Sequence, residues 1–210
     1  MKNKYRIICA LLAWVTILGQ YIVLLSEGTF GGVAGTTLAY FGFFTVTTNI
    51  LVALAFSVPF LKSANKLRVF FERQSVRAAI ALYIFVVAVI YYGVLAADHN
   101  PEGISAILNI GLHFVLPVLY ILDWLIFADK DAMSFKSAPL WTLYPIAYGL
   151  FNLVRGHLTG FYPYPFLDIS KIGVSGVAMN MLGFTLFYGL GAVLFIFIGR
   201  VLSRSRAKTT

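Results

Sequence analysis

The sequence predicts an all-α, polytopic membrane protein, in which residues 1–210 form a single bundle of six transmembrane helices. Of the 210 residues, 60% are hydrophobic and 11% are charged, whereas a soluble domain carries about 25% charged residues. Apolar runs recur along the chain, each near the ~20 residues that cross a bilayer core. We place the six spans at about 7–26, 37–61, 78–97, 106–127, 140–157 and 176–199.

The first apolar run begins directly after a basic N-terminus, Lys2-Asn3-Lys4-Tyr5-Arg6. A signal peptide also starts with a charged segment, but it ends at a small-x-small cleavage site. No such site closes the run from Ile7 to Ser26, which contains Gln20 and Tyr21. We therefore interpret this run as a retained first span.

The placement of lysine and arginine predicts the orientation of the bundle. With a cytoplasmic N-terminus, 14 of the 16 basic residues fall in cytoplasmic segments, and Arg155 and Lys171 lie near the outer side. The fourteen are Lys2, Lys4, Arg6, Lys62, Lys66, Arg68, Arg73, Arg77, Lys130, Lys136, Arg200, Arg204, Arg206 and Lys208. The positive-inside rule then predicts a multi-pass cell-membrane protein with both termini in the cytoplasm.

The formal net charge of +8 results from this same distribution. A nucleic-acid-binding protein gathers its charge on one folded face within a recognisable module, and the sequence indicates neither, so no nucleic-acid partner is predicted. Its three histidines and one cysteine have no metal-ligand spacing, so neither a metal nor a cofactor is predicted. The expected partners are membrane lipids and a lipid-like substrate; the oligomeric state is left open.

The second apolar run has an unusual amount of polarity at its centre. This uncharged stretch contains Thr45, Thr47, Thr48 and Asn49. Polar side chains within a membrane span tend to face protein or a wet cavity. At 100° per residue Thr45, Thr48 and Asn49 share one face, while Thr47 points nearly opposite. Such groups also serve simply as interhelical hydrogen-bonding residues, which is the structural alternative.

Spans four and five add polar residues at a similar predicted depth. Asn109 and His113 form an i,i+4 pair about 5–10 Å below the outer boundary, and Asn152 and Arg155 lie in the outer half of span five. With the polar face of span two, they predict a polar pocket that opens to the outer half of the bilayer. Pro117 lacks a backbone donor and predicts a local opening of the helix at His113, four residues earlier.

Asp123 is the main polar residue predicted for the inner half of the bundle. It precedes the inner end of span four by four residues. A buried carboxylate needs a partner of opposite charge. We therefore favour a pairing with a basic residue of the inner loops over a role in proton transfer.

Two motifs carry a family resemblance. The segment from His157 to Asp168, His-Leu-Thr-Gly-Phe-Tyr-Pro-Tyr-Pro-Phe-Leu-Asp, resembles the His-x-Thr-Gly-x-x-x-Tyr-Pro-Phe-Leu-acidic segment of the androgen-induced family of membrane proteins. The segment from His113 to Pro117 resembles that family's His-x-x-Val-Leu-Pro helix, one residue shorter here. The whole layout, with Thr-x-x-Thr-Asn in span two and Leu-Asp-Trp after the proline, is closer to a bacterial family of six-span membrane proteins ("Pr-six-Pr").

The androgen-induced proteins hydrolyse fatty-acid esters of hydroxy fatty acids with an intramembrane threonine and a histidine. The resemblance implies that His113 is the base and that a threonine of span two is the nucleophile. Motif matching leaves Thr45 and Thr47 open, and the shared helical face favours Thr45. The residues expected to bind substrate are Thr48, Asn49, Asn109, Asn152 and Arg155, the last through a carboxylate.

The leading hypothesis is therefore an intramembrane hydrolase of a lipid-like ester. The alternative is a non-enzymatic protein that binds or transports a lipid or small molecule in the same pocket. A purely structural membrane protein is the third interpretation. Repeat-based alternating-access transport is disfavoured because the sequence has no internal repeat.

Overall fold

The computed structural model describes residues 1–63, 65–127 and 133–207, with side chains only as far as residue 203. These residues form helices and turns and contain no β-strand, which confirms the predicted all-α class. Four basic residues of the orientation count fall outside the described backbone or side chains: Lys130, Arg204, Arg206 and Lys208. The α-helices are α1 (Lys2–Glu27), α2 (Val33–Tyr40), α3 (Phe44–Ser57), α4 (Lys66–Glu72), α5 (Gln74–Ile90), α6 (Gly103–Ile110), α7 (Leu116–Phe127), α8 (Ala138–Trp141), α9 (Leu143–Thr159) and α10 (Ile169–Ala207).

Several helical stretches are long and apolar enough to cross a membrane. Within the described residues there are four, Lys2–Glu27, Gln74–Asp98, Gly103–Phe127 and Ile169–Ser203. A fifth results if the bent pair α2 and α3 with its extension to Phe60 is one span. Four to five candidate spans agree with a membrane protein, and the count of six and the sidedness of the termini stay predictions.

The second predicted span, 37–61, is not one continuous helix, so the expectation of an unbroken helix was wrong, and the span itself stays a prediction. α2 and α3 meet at a bend of 77°. The Gly42 N–H bonds to the Ala39 carbonyl at 2.9 Å and the Phe43 N–H to the Tyr40 carbonyl at 3.2 Å, so α2 closes in tight turns. Phe43 is then extended, at φ −80° and ψ 129°, and α3 starts anew. Thr45 is consequently the second residue of a helix rather than the middle of one.

The fifth predicted span, 140–157, also begins later than expected, because α9 starts at Leu143. Pro145 has no N–H to donate to the Trp141 carbonyl, so the short helix α8 cannot continue into α9. The chain turns at Thr142, whose hydroxyl donates to the Pro139 carbonyl at 2.7 Å. α9 ends at Gly160, whose φ of 72° is left-handed and suits glycine.

The chain divides into two compact units, Met1–Asp129 and Lys130–Thr210. In the first unit, α3 packs against α1 and α5, α5 packs against α7, and α1 packs against α6. Its buried core includes Ala13, Ile17, Tyr40, Val46, Ala53, Leu112 and Leu116. The Tyr40 hydroxyl donates to the Ile17 carbonyl at 2.5 Å, which ties the end of α2 to α1.

In the second unit, α10 packs against α8 and α9. Gly173 interrupts α10 with φ 69° and ψ 171°, a conformation that a residue with a Cβ rarely adopts. On the α9 side, Gly156 allows the Tyr162 ring to approach closely, since a Cβ there would lie 2.1 Å from Tyr162 Cε1. The loop after α9 therefore folds back on the helix that precedes it.

Candidate functional site

Thr45 and His113 lie in hydrogen-bonding contact. The Thr45 hydroxyl is 3.3 Å from His113 Nε2. Thr45 stands in the first turn of α3, and His113 lies in a π-helical turn, Gly111–Val115, between α6 and α7. His113 is buried and Thr45 is half-buried. Two residues that are 68 positions apart in the chain thus form a hydroxyl–imidazole dyad.

The partner of the second ring nitrogen of His113 determines which group of the dyad is the hydrogen-bond donor. His113 Nδ1 lies 3.0 Å from the Asn109 backbone carbonyl. A carbonyl oxygen only accepts, so Nδ1 carries the hydrogen and Nε2 presents a lone pair. Thr45 is then the donor to Nε2. This is the arrangement in which a histidine can accept a proton from a hydroxyl nucleophile.

The π-helical turn is stabilised from α3. Because Pro117 has no N–H, the Leu112 carbonyl five residues earlier lacks the donor that a π-helical register requires. Asn49 Nδ2 donates to that carbonyl at 3.2 Å and to the Thr45 carbonyl at 2.8 Å. Asn49 therefore joins the backbone next to His113 to the backbone of Thr45. The predicted opening of the helix is a π turn, closed by this amide.

The Asn49 side chain can accept a hydrogen bond from a ligand but cannot donate one. Both of its amide hydrogens go to backbone carbonyls, so its Nδ2 cannot also donate to a ligand. Its Oδ1 is buried and has no hydrogen-bond partner within the part of the chain that the structure describes. A buried acceptor without a donor destabilises the protein. A hydrogen bond to this oxygen from a ligand hydroxyl or a water would therefore be favourable.

Tyr91 covers one face of the His113 imidazole. The two rings stack with their centroids 3.7 Å apart and an interplanar angle of 18°. Asn109 Nδ2 donates to the Tyr91 hydroxyl at 2.6 Å, and this hydroxyl also contacts Nδ1 of the exposed His99 at 3.2 Å. Asn109 thus holds His113 through its backbone and Tyr91 through its side chain. Its amide is used within the protein, as that of Asn49 is.

Tyr91 was not predicted from the sequence. It lies in an apolar stretch with no polar periodicity, and a buried tyrosine there is typical of ordinary packing. Its helix, however, loosens into a π-helical turn, Tyr91–Leu95, and such turns are frequent at functional sites. Only the fold brings this turn beside the one that contains His113.

Close packing fixes the position of the turn that carries His113. Gly111 faces α1, where a Cβ on it would lie 2.7 Å from the Thr16 methyl. Leu112 and Val46, the neighbours of His113 and Thr45 in sequence, belong to the same buried core. The backbone on both sides of the dyad is therefore held by packing.

The other threonines of α3 differ from Thr45 in their surroundings. The Thr47 hydroxyl bonds to the Phe44 carbonyl of its own helix at 3.2 Å, a common local pattern for threonine. Thr48 is fully buried in the first unit. The contact with the His113 ring is made by Thr45.

Asn152 and Arg155 belong to the second unit and are both buried on α9. Asn152 Nδ2 donates to the Tyr148 carbonyl at 3.0 Å, and its Oδ1 has no partner among the described residues. The Arg155 guanidinium stacks over the Phe161 ring at 5.1 Å and donates to the Phe161 carbonyl at 3.5 Å. In this unit Arg155 thus binds the loop that comes after its own helix.

The Tyr-Pro-Phe-Leu-Asp segment is held by α10. Asn180 Nδ2 donates to the Phe166 carbonyl at 3.0 Å, and the Phe166 ring stacks on Tyr164 with centroids 5.0 Å apart. Asp168 precedes α10 and accepts from the Ser170 hydroxyl and N–H. The hydroxyl bond holds the pKa of the Asp168 carboxyl below its usual value. The acidic residue of this motif therefore caps a helix.

Asp123 pairs with basic residues, as predicted, although its partners stand on helices rather than in the inner loops. Arg6 Nε and Nη2 donate to its two carboxylate oxygens at 2.8 and 2.9 Å, and Arg77 Nη2 also bonds it. All three side chains are buried. The pairing involves two arginines rather than one, and it joins α1, α5 and α7.

No protein-family model, curated protein or solved structure matches this chain at a significant level. The resemblance to the androgen-induced and six-span families consequently stays a prediction from the motifs. Any function assigned to the chain therefore depends on the geometry of Thr45 and His113.

Proposed function

We propose that this protein is an intramembrane hydrolase of lipid-like fatty-acid esters, with Thr45 as nucleophile and His113 as general base. The observation that carries the proposal is the contact between Thr45 Oγ1 and His113 Nε2 at 3.3 Å. Such a distance is ordinary for a nucleophile and base without substrate, since these hydrogen bonds tighten in the reacting complex.

In the proposed reaction, Thr45 Oγ1 attacks the ester carbonyl carbon while His113 Nε2 takes the hydroxyl proton. The tetrahedral intermediate collapses as His113 returns that proton to the departing alcohol, which leaves an acyl-threonine. Water then attacks the acyl group with His113 again as the base, the carboxylic acid departs and Thr45 regains its proton. Each proton that His113 accepts is returned within the cycle.

Two features of the site support this cycle. Thr45 stands in the first turn of α3, where the positive end of the helix dipole favours the negative charge that develops on the carbonyl oxygen. The imidazolium form of His113 would retain its bond from Nδ1 to the Asn109 carbonyl. It would also gain a cation–π interaction with the stacked Tyr91 ring.

We infer six spans, with both termini in the cytoplasm of a multi-pass cell-membrane protein, from the distribution of basic residues. In that orientation Thr45 and His113 lie in the outer half of the bilayer, and the substrate enters from the outer leaflet. Thr48, Asn49 and Asn109, which belong to the same unit as the dyad, are the further binding residues of this hypothesis.

One observation favours the alternative, a protein that binds a lipid or small molecule without turnover. The buried Oδ1 of Asn49, without a partner in the described part of the chain, lies on the residue that joins the two members of the dyad. It would accept a hydrogen bond from a ligand hydroxyl. Binding of a ligand through the Asn49 Oδ1 acceptor does not require Thr45 to be reactive.

Labelling by a fluorophosphonate lipid probe separates the two functions. The purified protein in detergent is compared with Thr45→Ala, Thr48→Ala and His113→Ala, and with Thr47→Ala as the matched control, because the Thr47 hydroxyl bonds its own helix. We expect labelling in the wild type and in Thr47→Ala, and loss in Thr45→Ala and His113→Ala, with all samples compared at equal folded fraction. An unlabelled but folded wild type would leave the binding protein as the better hypothesis.

A further inference from the structure

The ion cluster Arg6–Asp123–Arg77 contains more positive than negative charge. Arg6 is 5% exposed, Arg77 is 3% exposed and Asp123 is fully buried. Both guanidinium groups bond the same carboxylate, and Glu72, the nearest acid in sequence to Arg77, pairs with Arg68 instead. Among the described residues, one buried positive charge is left without its own counter-charge. Burying a charge in this way is costly unless an anion compensates it.

One hydrogen-bond donor of the Arg77 guanidinium has no acceptor among the described residues. Its Nη2 reaches Asp123, but its Nε is buried and finds no acceptor in the described ranges of the chain. A guanidinium presents its donors in a planar fork that matches carboxylate and phosphate oxygens. Arg77 therefore lacks a hydrogen-bond acceptor for its Nε, and it shares its only negatively charged partner among the described residues, Asp123, with Arg6.

The N-terminal turns of two helices beside the cluster add further positive potential. α1 and α5 both begin near it, at Lys2 and Gln74, and neither helix has a side-chain cap or an acidic residue in its first turn. The N-termini of helices favour anions. Lys2 stands one turn before Arg6, Arg73 stands one turn before Arg77, and both are exposed. Two solvent-exposed basic residues therefore precede the buried arginines on these two helices.

We propose that this cluster binds the headgroup phosphate of an anionic phospholipid. Lys2–Glu27 and Gln74–Asp98 have the length of membrane spans, so their first residues lie at the level of the headgroups when they cross a bilayer. Basic pockets between such helix ends are typical sites for anionic lipids. Lys2 and Arg73 bind the phosphate from the water side, and its charge compensates the buried guanidinium of Arg77. This site is independent of the proposed hydrolysis.

The test is thermal unfolding of the purified full-length protein in detergent with added lipid, together with native mass spectrometry of the bound lipid. Phosphatidylglycerol is compared with phosphatidylcholine of the same acyl chains, and a third sample receives inorganic phosphate alone. The variant is Lys2→Gln with Arg73→Gln. Its matched control is Lys4→Gln with Lys66→Gln, which removes the same charge from two other exposed residues of the first unit.

We expect phosphatidylglycerol to raise the melting temperature more than phosphatidylcholine does, and to remain bound in the mass spectrum. The Lys2/Arg73 variant should lose most of this difference, and the Lys4/Lys66 control should keep it. Equal stabilisation by both lipids would overturn the proposal. So would an equal loss in variant and control, since that would mean diffuse surface charge. Full stabilisation by inorganic phosphate alone would overturn the assignment to a lipid.

Discussion

The imidazole of His113 lies face to face with the phenol ring of Tyr91, at a centroid distance of 3.7 Å and an angle of 18°. The stack leaves the ring edge, with Nε2, directed to Thr45 and holds Nδ1 at the Asn109 carbonyl. A histidine that acts as a general base needs such fixed orientation, because a small displacement of the base costs much of the rate.

Replacement of Tyr91 by leucine should therefore slow the proposed hydrolysis, while phenylalanine should largely preserve it. Phenylalanine retains the stacked ring and loses only the hydroxyl that binds Asn109 and His99. An aromatic pair is worth ~0.5–1.5 kcal/mol, so we expect a loss of about tenfold at most in Tyr91→Leu. The measurement is the rate of fluorophosphonate labelling at equal folded fraction. Identical rates in the two variants would mean that the ring does not position His113.

Removal of either member of the dyad should have a larger effect. General base catalysis contributes about 10²–10⁴-fold, so His113→Ala should lose roughly that factor in the rate of ester hydrolysis. Thr45→Ala should lose the covalent intermediate as well, whereas Thr45→Ser should retain activity because it keeps the hydroxyl. The measurement is the acyl-enzyme mass after a short incubation with a fatty-acid ester. An acyl adduct that persists in Thr45→Ala would assign the nucleophile to another residue.

The sequence named Thr45 and His113 as candidate partners, but neither their contact nor the groups that support it could be predicted. Helical spacing placed Thr45, Thr48 and Asn49 on one face, and the similar predicted depth of His113 was compatible with a contact but did not place span four beside span two. The bend at Gly42 was not predictable, because a glycine within an uninterrupted apolar run is common in membrane helices. Nothing in the sequence distinguishes Tyr91 from its neighbour Tyr92.

The sequence predicted that Asp123 pairs with a basic residue, but it did not predict that two arginines bind it or which ones. A carboxylate near the inner end of a span needs a basic partner, which the sequence supplies many times over. Which of them reach Asp123 depends on the packing of α1 and α5 against α7. That packing results from long-range contacts that a local pattern does not encode, so Arg6 and Arg77 became identifiable only in the fold.

Neutralisation of Asp123 should destabilise the protein strongly. Asp123→Asn leaves two buried guanidinium groups without their carboxylate, and breaking a buried ion pair by removing one partner costs about 3–5 kcal/mol. Thermal unfolding in detergent measures the loss. Glu72→Gln is the control, because its pair with Arg68 is partly exposed and such pairs contribute ~0–1 kcal/mol. A similar melting temperature in both variants would mean that Asp123 contributes no more than a surface carboxylate.

Gly111→Ala should displace the turn that carries His113. The new Cβ would lie 2.7 Å from the Thr16 methyl of α1, and overpacking of this kind costs about 1–3 kcal/mol. Thr16→Ser removes the obstructing methyl and keeps the hydroxyl that donates to the Leu12 carbonyl, so Gly111→Ala with Thr16→Ser should regain most of the stability and labelling. Gly93→Ala is the matched control, since its Cβ would meet nothing within 4 Å. If Thr16→Ser fails to rescue Gly111→Ala, contact with α1 is not what positions the histidine.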